Sequence, residues 1–245
     1  MSALEIAVTS PAGARVARTG GADRVELCVA LELGGVTPSQ ALVEATVAAG
    51  LPVHVLVRCR PGDFRYDADE IALMAAEVRT VLAAGAAGVV VGALTDRGTL
   101  HTEAIRRWTD AAGTASGGAA EVTLHRAIDR SADPVAAAVL AAELGLTRIL
   151  TSGGAPTAGA GTGTIARMRT AAPGIQLMAG GGVRTADIPA LVAAGAAAVH
   201  LSAKRPVARR EAGPAVPMGS ADADTHFVTD PGAVAAARTA LDTAS

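Results

Sequence analysis

Glu26, Cys28, His54, Arg58, His125, His200 and Ser202 are polar side chains set inside apolar runs of this 245-residue chain. The runs are Val25-Glu26-Leu27-Cys28, Val53-His54-Val55-Leu56-Val57-Arg58, Val122-Thr123-Leu124-His125 and Val199-His200-Leu201-Ser202. In each, aliphatic residues alternate with a set that carries the polar groups and ends at the C-terminal end of the run. Successive strand residues point to opposite faces. A parallel strand covered on both faces should instead read as a nearly continuous apolar run. One face of these strands therefore packs on helices and the other gathers charge. Burying so many ionisable groups without shared partners would cost several kcal/mol each, on the order of magnitude known for isolated buried charges.

That polar set suggests two chemistries. Glu26 and His125 suit general acid–base work, because a closed pocket can tune both pKa values. Asp129 and His200 are further candidates in the same group. Arg58 and Arg126 suit an anionic ligand, since a guanidinium clamps a carboxylate or phosphate bidentately. Ser152, Gly181 and Ser202, at the ends of later strands, would complete the substrate contacts. Gly180-Gly181-Gly182 could present backbone N–H groups to a phosphate, although a tight turn explains the run as well. An internal ion-pair network, such as Glu26 with Arg58, is the alternative to a functional site. The second chemistry is metal binding. Cys-x-x-Cys and His-Glu-x-x-His motifs are absent, so zinc is not indicated. Two thiols, Cys28 and Cys59, would suit Cu(I), with Met178 and Met218 as further sulfur donors. If they close adjacent strands, the two thiols could meet at the mouth of the site.

The elements needed to position these residues follow from a repeated unit of short strand, loop and Ala-rich helix. Strands are expected near 4–8, 24–28, 52–58, 88–93, 121–126, 148–153, 176–180 and 198–203. Helices are expected near 11–19, 38–49, 68–84, 102–112, 133–144, 163–172, 185–194 and 231–243. Thr37-Pro38 and Asp133-Pro134 read as an N-cap followed by a first-turn proline, and Asp67 and Thr185 as further N-caps. Gly50, Gly85, Gly145 and Gly195 read as helix-terminating residues. The glycine-rich stretches 113–120 and 153–163 read as loops. Eight strand–helix units in this length predict an α/β fold, a (β/α)8 TIM barrel forming a single domain over 1–245. A doubly wound sheet would gather its ligand at one switch point rather than along many strands. A long loop over 204–229 follows the last strand and should lie over the C-terminal face.

Composition narrows the function classes. Half the residues are hydrophobic and only 2% are aromatic, so the core must be built from Val, Leu, Ile and Ala. The formal net charge is −2 and no basic block is interleaved with aromatics, which argues against nucleic acid. Arg209-Arg210 reads as a solvated pair. The N-terminus lacks a basic region followed by a long apolar one, so no secretory signal and a cytoplasmic location are expected. No apolar run reaches the length of a membrane span.

Gly21-Ala22-Asp23-Arg24-Val25-Glu26-Leu27-Cys28, Gly34-Gly35-Val36-Thr37-Pro38-Ser39, Pro61-Gly62-Asp63-Phe64-Arg65-Tyr66, Leu124-His125-Arg126-Ala127-Ile128-Asp129, Arg148-Ile149-Leu150-Thr151-Ser152-Gly153 and His200-Leu201-Ser202-Ala203 together resemble the CutC family. Met218-Gly219 and Thr229-Asp230 extend the match, which is ordered and spans essentially the whole chain. The resemblance implies a TIM barrel, a cytoplasmic homo-oligomer and an association with copper homeostasis, with Cu(I) held by cysteines in some members. Cys28 matches the cysteine of the family's Glu-Leu-Cys motif, whereas Cys59 does not inherit a ligand role.

Two functions stay open at this point. One is a copper-handling protein centred on Cys28 and Cys59, with Cu(I) as its metal and no organic cofactor. The other is an isomerase- or lyase-type enzyme acting on a small anionic or sugar-like molecule, with Glu26 and His125 as the acid–base pair and His200 positioning the substrate. The partner is a small molecule or copper in either case.

Overall fold

The structure, a computed structural model, describes residues 2–208 and 225–244. Its eight parallel strands close into a barrel in sequence order: β1 (Ala3–Val8), β2 (Arg24–Leu27), β3 (Val53–Leu56), β4 (Gly88–Val91), β5 (Glu121–Leu124), β6 (Arg148–Thr151), β7 (Gln176–Gly180) and β8 (Ala198–Leu201). Helices α1 (Pro11–Thr19), α2 (Gln40–Val47), α3 (Ala68–Ala83), α4 (Thr102–Ser116), α5 (Pro134–Glu143), α6 (Thr162–Ala171), α7 (Ile188–Ala193) and α8 (Pro231–Ala244) follow the strands in turn. The expected (β/α)8 barrel is therefore observed.

The alternation read from the sequence divides the strands as expected. Leu4, Ile6, Val8, Val25, Leu27, Val53, Val55, Val57, Val89 and Val91 belong to one large apolar cluster with the helices. Trp108 of α4 is fully buried in it, and its indole N–H donates to the Ile71 carbonyl of α3 at 3.1 Å. The other set faces the lumen. Register aligns its members: Glu5 lies beside Arg24 on one side and His200 on the other, Glu26 beside His54, and Thr123 beside Arg148. Most barrel interiors are filled by branched aliphatics; this one sets charges that the register brings into contact between two small apolar clusters, one around Leu56 and Val90 and one around Leu150 and Met178.

Helix punctuation is partly as expected. Asp133 caps α5 by accepting the Val135 and Ala136 N–H groups, and Asp67 forms a reciprocal capping box with Glu70 on α3. Gly50, Gly85, Gly145 and Gly195 all take positive φ, as helix-ending residues do. Three expectations are corrected. Ser39, not Thr37, caps α2; the Thr37 hydroxyl instead donates to Glu77 and accepts the Arg58 N–H. Residues 185–187 form a short 3-10 turn, and α7 begins only at Ile188, where Pro189 suits its first turn. The glycine-rich stretches are not plain loops: α4 runs on to Ser116, and 158–161 form a 3-10 turn leading into α6.

The segment after β8 is not simply a loop. Lys204–Ala208 (β9) and Thr225–Thr229 (β10) pair antiparallel, with Lys204 opposite Thr229. Arg209, Arg210, Met218 and Gly219 lie outside the described residues. Among the described residues no helix is long and apolar enough to cross a membrane.

Candidate active site

A cavity of about 630 Å³ opens at the C-terminal ends of the strands, a volume in the range of small-molecule sites. Glu26, Cys28, Arg58, His125, Arg126, Gly181, His200 and Ser202 all line it, so the structure brings together eight of the residues singled out in the sequence. Leu31, Leu56, Phe64, Leu150, Val183 and Leu201 supply apolar wall between them. Lys204 stands at the rim, its ammonium 4.2 Å from the centre of the Phe227 ring.

Glu26 and His200 form an ionisable pair on the wall of this cavity. His200 Nε2 stands 3.6 Å from Glu26 Oε2, and its Nδ1 is 2.8 Å from Glu5 Oε1. Glu5 is fully buried and also accepts a hydrogen bond from Arg24 Nε at 2.6 Å. Burial works against the Glu5 charge, but the His200 hydrogen bond and the His200, Arg24 and His54 charges overcome it and bring its pKa down to about 2. Burial likewise disfavours a charged His200, yet the Glu26 and Glu5 carboxylates raise its pKa overall. Glu26 ends differently: burial, aided by the nearby Glu5 charge and opposed by His200, raises it from 4.5 to about 7. One carboxylate is thus locked ionised to hold the imidazole, while the other is poised to exchange a proton near neutral pH.

His125 stands across the lumen on the strand opposite β1. Its Nδ1 accepts the Ala127 N–H at 3.1 Å, which places the ring proton of the neutral form on Nε2. Burial, with the Arg58 charge, lowers its pKa to about 3. A Cβ at Gly92 would come within 2.6 Å of ring atoms Cε1 and Nδ1, so glycine at the end of β4 is what leaves the imidazole its place. The Phe64 ring packs on it at 4.8 Å between centroids.

Arg58 is buried without a carboxylate. Its Nη1 donates to the Leu33 and Gly35 carbonyls and its Nη2 to that of Gly62, at 3.3, 3.1 and 3.0 Å. The alternative network in which Glu26 pairs with Arg58 is not what forms: the partner of Glu26 among the described residues is His200. Arg126 donates to Asp129 at 2.8 Å and to the Ser152 hydroxyl at 3.0 Å. Gly181 has φ +101, and a Cβ there would meet the Arg126 guanidinium at 2.7 Å.

Asp129, Ser152, Cys59 and Met178 lie off the cavity wall. Asp129 is engaged by Arg126, by the Thr151 hydroxyl at 2.5 Å, and by the Ser152 and Gly154 N–H groups at 3.0 and 3.1 Å. Its carboxylate and Ser152 brace Arg126 and the loop after β6. Cys28 faces the lumen with Leu56 and Val90, whereas Cys59 packs against the helix-side cluster. The two thiols thus sit on opposite faces of the sheet, and the expectation that they approach one another does not match this geometry. Burial, then the Glu26 and Glu32 charges, push the Cys28 thiol pKa up, away from the thiolate that Cu(I) would need. Met178 Sδ accepts a hydrogen bond from Arg24 at 3.2 Å, which leaves it beside a cation. No cluster of three or more His, Cys, Asp or Glu residues is arranged for a metal ion among the described residues.

The sequence reading overlooked the floor of the lumen. Besides Glu5 and Arg24, the buried Arg148 donates to Glu121 at 2.8 Å, Thr123 at 3.2 Å and Gln176 at 3.2 and 3.1 Å, with His54 Nδ1 3.4 Å away. His54 Nε2 stands 3.3 Å from Glu121. The signal was present in Leu4-Glu5-Ile6 and Arg148-Ile149-Leu150, where a charge interrupts an apolar run.

Comparison with known proteins agrees with this architecture. A profile of the CutC family matches residues 2–205. A family protein CutC from Xanthomonas campestris pv. campestris strain 8004 is 44% identical over 208 residues, covering 84% of this chain and 85% of its own. Another from Klebsiella pneumoniae strain 342 is 42% identical over 227 residues, covering 91% and 90%. The crystal structure of CutC from Streptococcus agalactiae, labelled a candidate copper homeostasis protein, superposes with a TM-score of 0.74 at 25% identity, covering 82% of this chain and 99% of that one. With a matching profile over most of its length, relatives above 40% identity and the same closed barrel, this chain belongs to the CutC family.

Proposed function

We propose that the protein is an enzyme that moves a proton on a small anionic molecule, with Glu26 as the base and His200 as its coupled partner. The observation that carries this reading is the Glu26–His200 pair on the wall of a cavity that also holds the uncompensated Arg58 guanidinium. A carboxyl held near pKa 7 is matched to proton transfer at neutral pH. Arg58 and Arg126 attract the anion, the apolar wall excludes water, and Glu26 takes a proton from carbon beside a carbonyl and returns it. Isomerisation and lyase-type cleavage share that step.

The test needs no knowledge of the final product. The protein is incubated in D2O with pyruvate, hydroxypyruvate, acetoacetate and the neutral dihydroxyacetone, and loss of the α-proton signal is followed by NMR between pH 6 and 9. Protein-dependent exchange is expected with an anionic member and not with the neutral one. Exchange no faster than buffer alone with every compound would overturn the reading.

A copper role through the thiols is the second reading, supported by the family's association with copper and by the place of Cys28 among the residues that line the cavity. Its geometry is that of a lone buried thiol, because Cys59 faces the other side of the sheet. In an anaerobic Cu(I) titration against a competing chelator, Cys59→Ser is expected to match wild type. Tight one-to-one binding that is lost in both Cys28→Ser and Cys59→Ser would instead establish a shared dithiolate site.

A further inference from the structure

His125 Nε2 is buried and has no hydrogen-bond partner among the described residues, whereas the Arg58 guanidinium has the Tyr66 hydroxyl beside it. Buried donors are almost always paired, so an orphan on the cavity wall calls for an explanation. The Ala127 N–H fixes the His125 ring so that its proton sits on Nε2. Three backbone carbonyls engage both terminal nitrogens of Arg58 and fix its guanidinium as a cation on the same wall. Phe64 locks the two against each other's side of the wall, 4.8 Å from the imidazole centroid and 5.0 Å from Arg58 Cζ. A side chain held this firmly with a donor left over is preorganised for an acceptor that arrives from outside.

We propose that His125 Nε2–H, with the Arg58 cation fixed nearby, binds the carbonyl oxygen of the substrate and the negative charge that develops on it. The substrate is then a small carbonyl acid that passes through an enolate. This inference rests on the acid–base reading above and names its second half. Glu26 takes the α-proton, the C–H electron pair becomes a C=C bond, and the carbonyl π pair moves onto oxygen, where the His125 N–H holds it and the Arg58 charge stabilises it. Return of the proton reverses each change, so no oxidant or co-reactant is needed. His125 is therefore an electrophilic donor in its neutral form rather than half of a proton-shuttling pair. A neutral imidazole suits this role, because it keeps its proton while sharing it with the oxygen. The positions agree: His125 rises from the strand opposite β1, while Glu26 and His200 rise from the strands that flank β1.

Oxalate, a planar anion resembling such an enolate, is the probe. With protein labelled at the histidine nitrogens, the His125 Nε2–H resonance is expected to stay present and neutral from pH 5 to 9 and to move downfield when oxalate binds. His125→Phe keeps a ring against Phe64 and removes the donor. It is expected to weaken oxalate about 10- to 100-fold, the usual effect of deleting one hydrogen bond to a charged ligand. An unmoved Nε2–H resonance in wild type, or unchanged oxalate affinity in a folded His125→Phe, would overturn the oxygen site. Those results alongside α-proton exchange by the wild type would leave Glu26 as base and remove only the oxygen site. A shifted resonance without any exchange would keep the oxygen site and remove the acid–base step.

Discussion

Glu26→Gln is expected to abolish α-proton exchange and, unusually for a buried substitution, to make the protein more stable at high pH. The first effect follows from its place as base: Gln has the same shape but its amide cannot accept a proton, and loss of a general base costs about 10²- to 10⁴-fold in rate. The second follows from linkage. The folded state raises the Glu26 pKa from 4.5 to about 7, so it favours the protonated carboxyl. Below pH 4.5 the group is neutral in both folded and unfolded chains and costs nothing. Between pH 4.5 and about 7 the unfolded chain ionises this carboxyl while the folded protein keeps it protonated, so stability falls by up to about 3 kcal/mol relative to a neutral side chain and levels off above that. Urea unfolding of wild type and Glu26→Gln at pH 4 and pH 9 reads this directly. Equal stability is expected at pH 4 and a more stable variant at pH 9. A variant destabilised at pH 9 would mark Glu26 as a member of a structural ion-pair network and remove it as base.

This signature separates function from scaffold within one lumen. Glu5 and Glu26 lie two strand positions from being equivalent: each is an acidic residue amid aliphatics, each is buried, and each faces His200. Arg24 and a 2.8 Å contact to His200 hold Glu5 ionised, whereas Glu26 has only the longer contact to the same ring. Sequence periodicity alone cannot make that distinction. It does reveal that a charge interrupts an apolar strand, and so it placed Glu26, Arg58, His125 and His200 on the lumen face. It cannot say which charge pairs with which, because the partners come from strands far apart in the chain and meet through barrel closure, as β1 meets β8. The role of His125 was hidden for a similar reason: the ring's tautomer is set by the Ala127 N–H in a turn that has no sequence signal of its own. Cys28 and Cys59 illustrate the limit of adjacency. They follow neighbouring strands, yet Cys28, directly after β2, packs in the lumen, while Cys59 lies in the loop beyond β3 and packs against the helix-side cluster. The barrel itself was legible because its repeat is local, with strand, cap, helix and terminating glycine lying within some thirty residues of one another in each unit.

Glu5→Gln should show the opposite profile to Glu26→Gln. At pH 7 Glu5 is an ionised carboxylate that receives Arg24 and His200, both otherwise buried cations. Gln keeps the volume but removes the charge, leaving two cations facing a neutral amide. Breaking one side of a buried pair in this way costs about 3–5 kcal/mol. The pH dependence follows from the depressed pKa. A carboxyl lowered from 4.5 to about 2 contributes stability that is fully present above 4.5 and is lost as pH falls toward 2. His200 adds the other edge. Its raised pKa contributes stability that is present below 6.5 and lost as pH rises through the folded value. The gap between wild type and Glu5→Gln in urea unfolding is therefore expected to be large at pH 6 and to narrow toward pH 2. A gap that stayed constant across that range would mean that packing around Glu5, rather than its charge, holds the floor of the barrel. Because Glu5 also fixes His200 Nδ1, a folded Glu5→Gln protein should retain oxalate binding at His125 while losing α-proton exchange through a freed His200, which ties the silent floor of the lumen to the chemistry at its mouth.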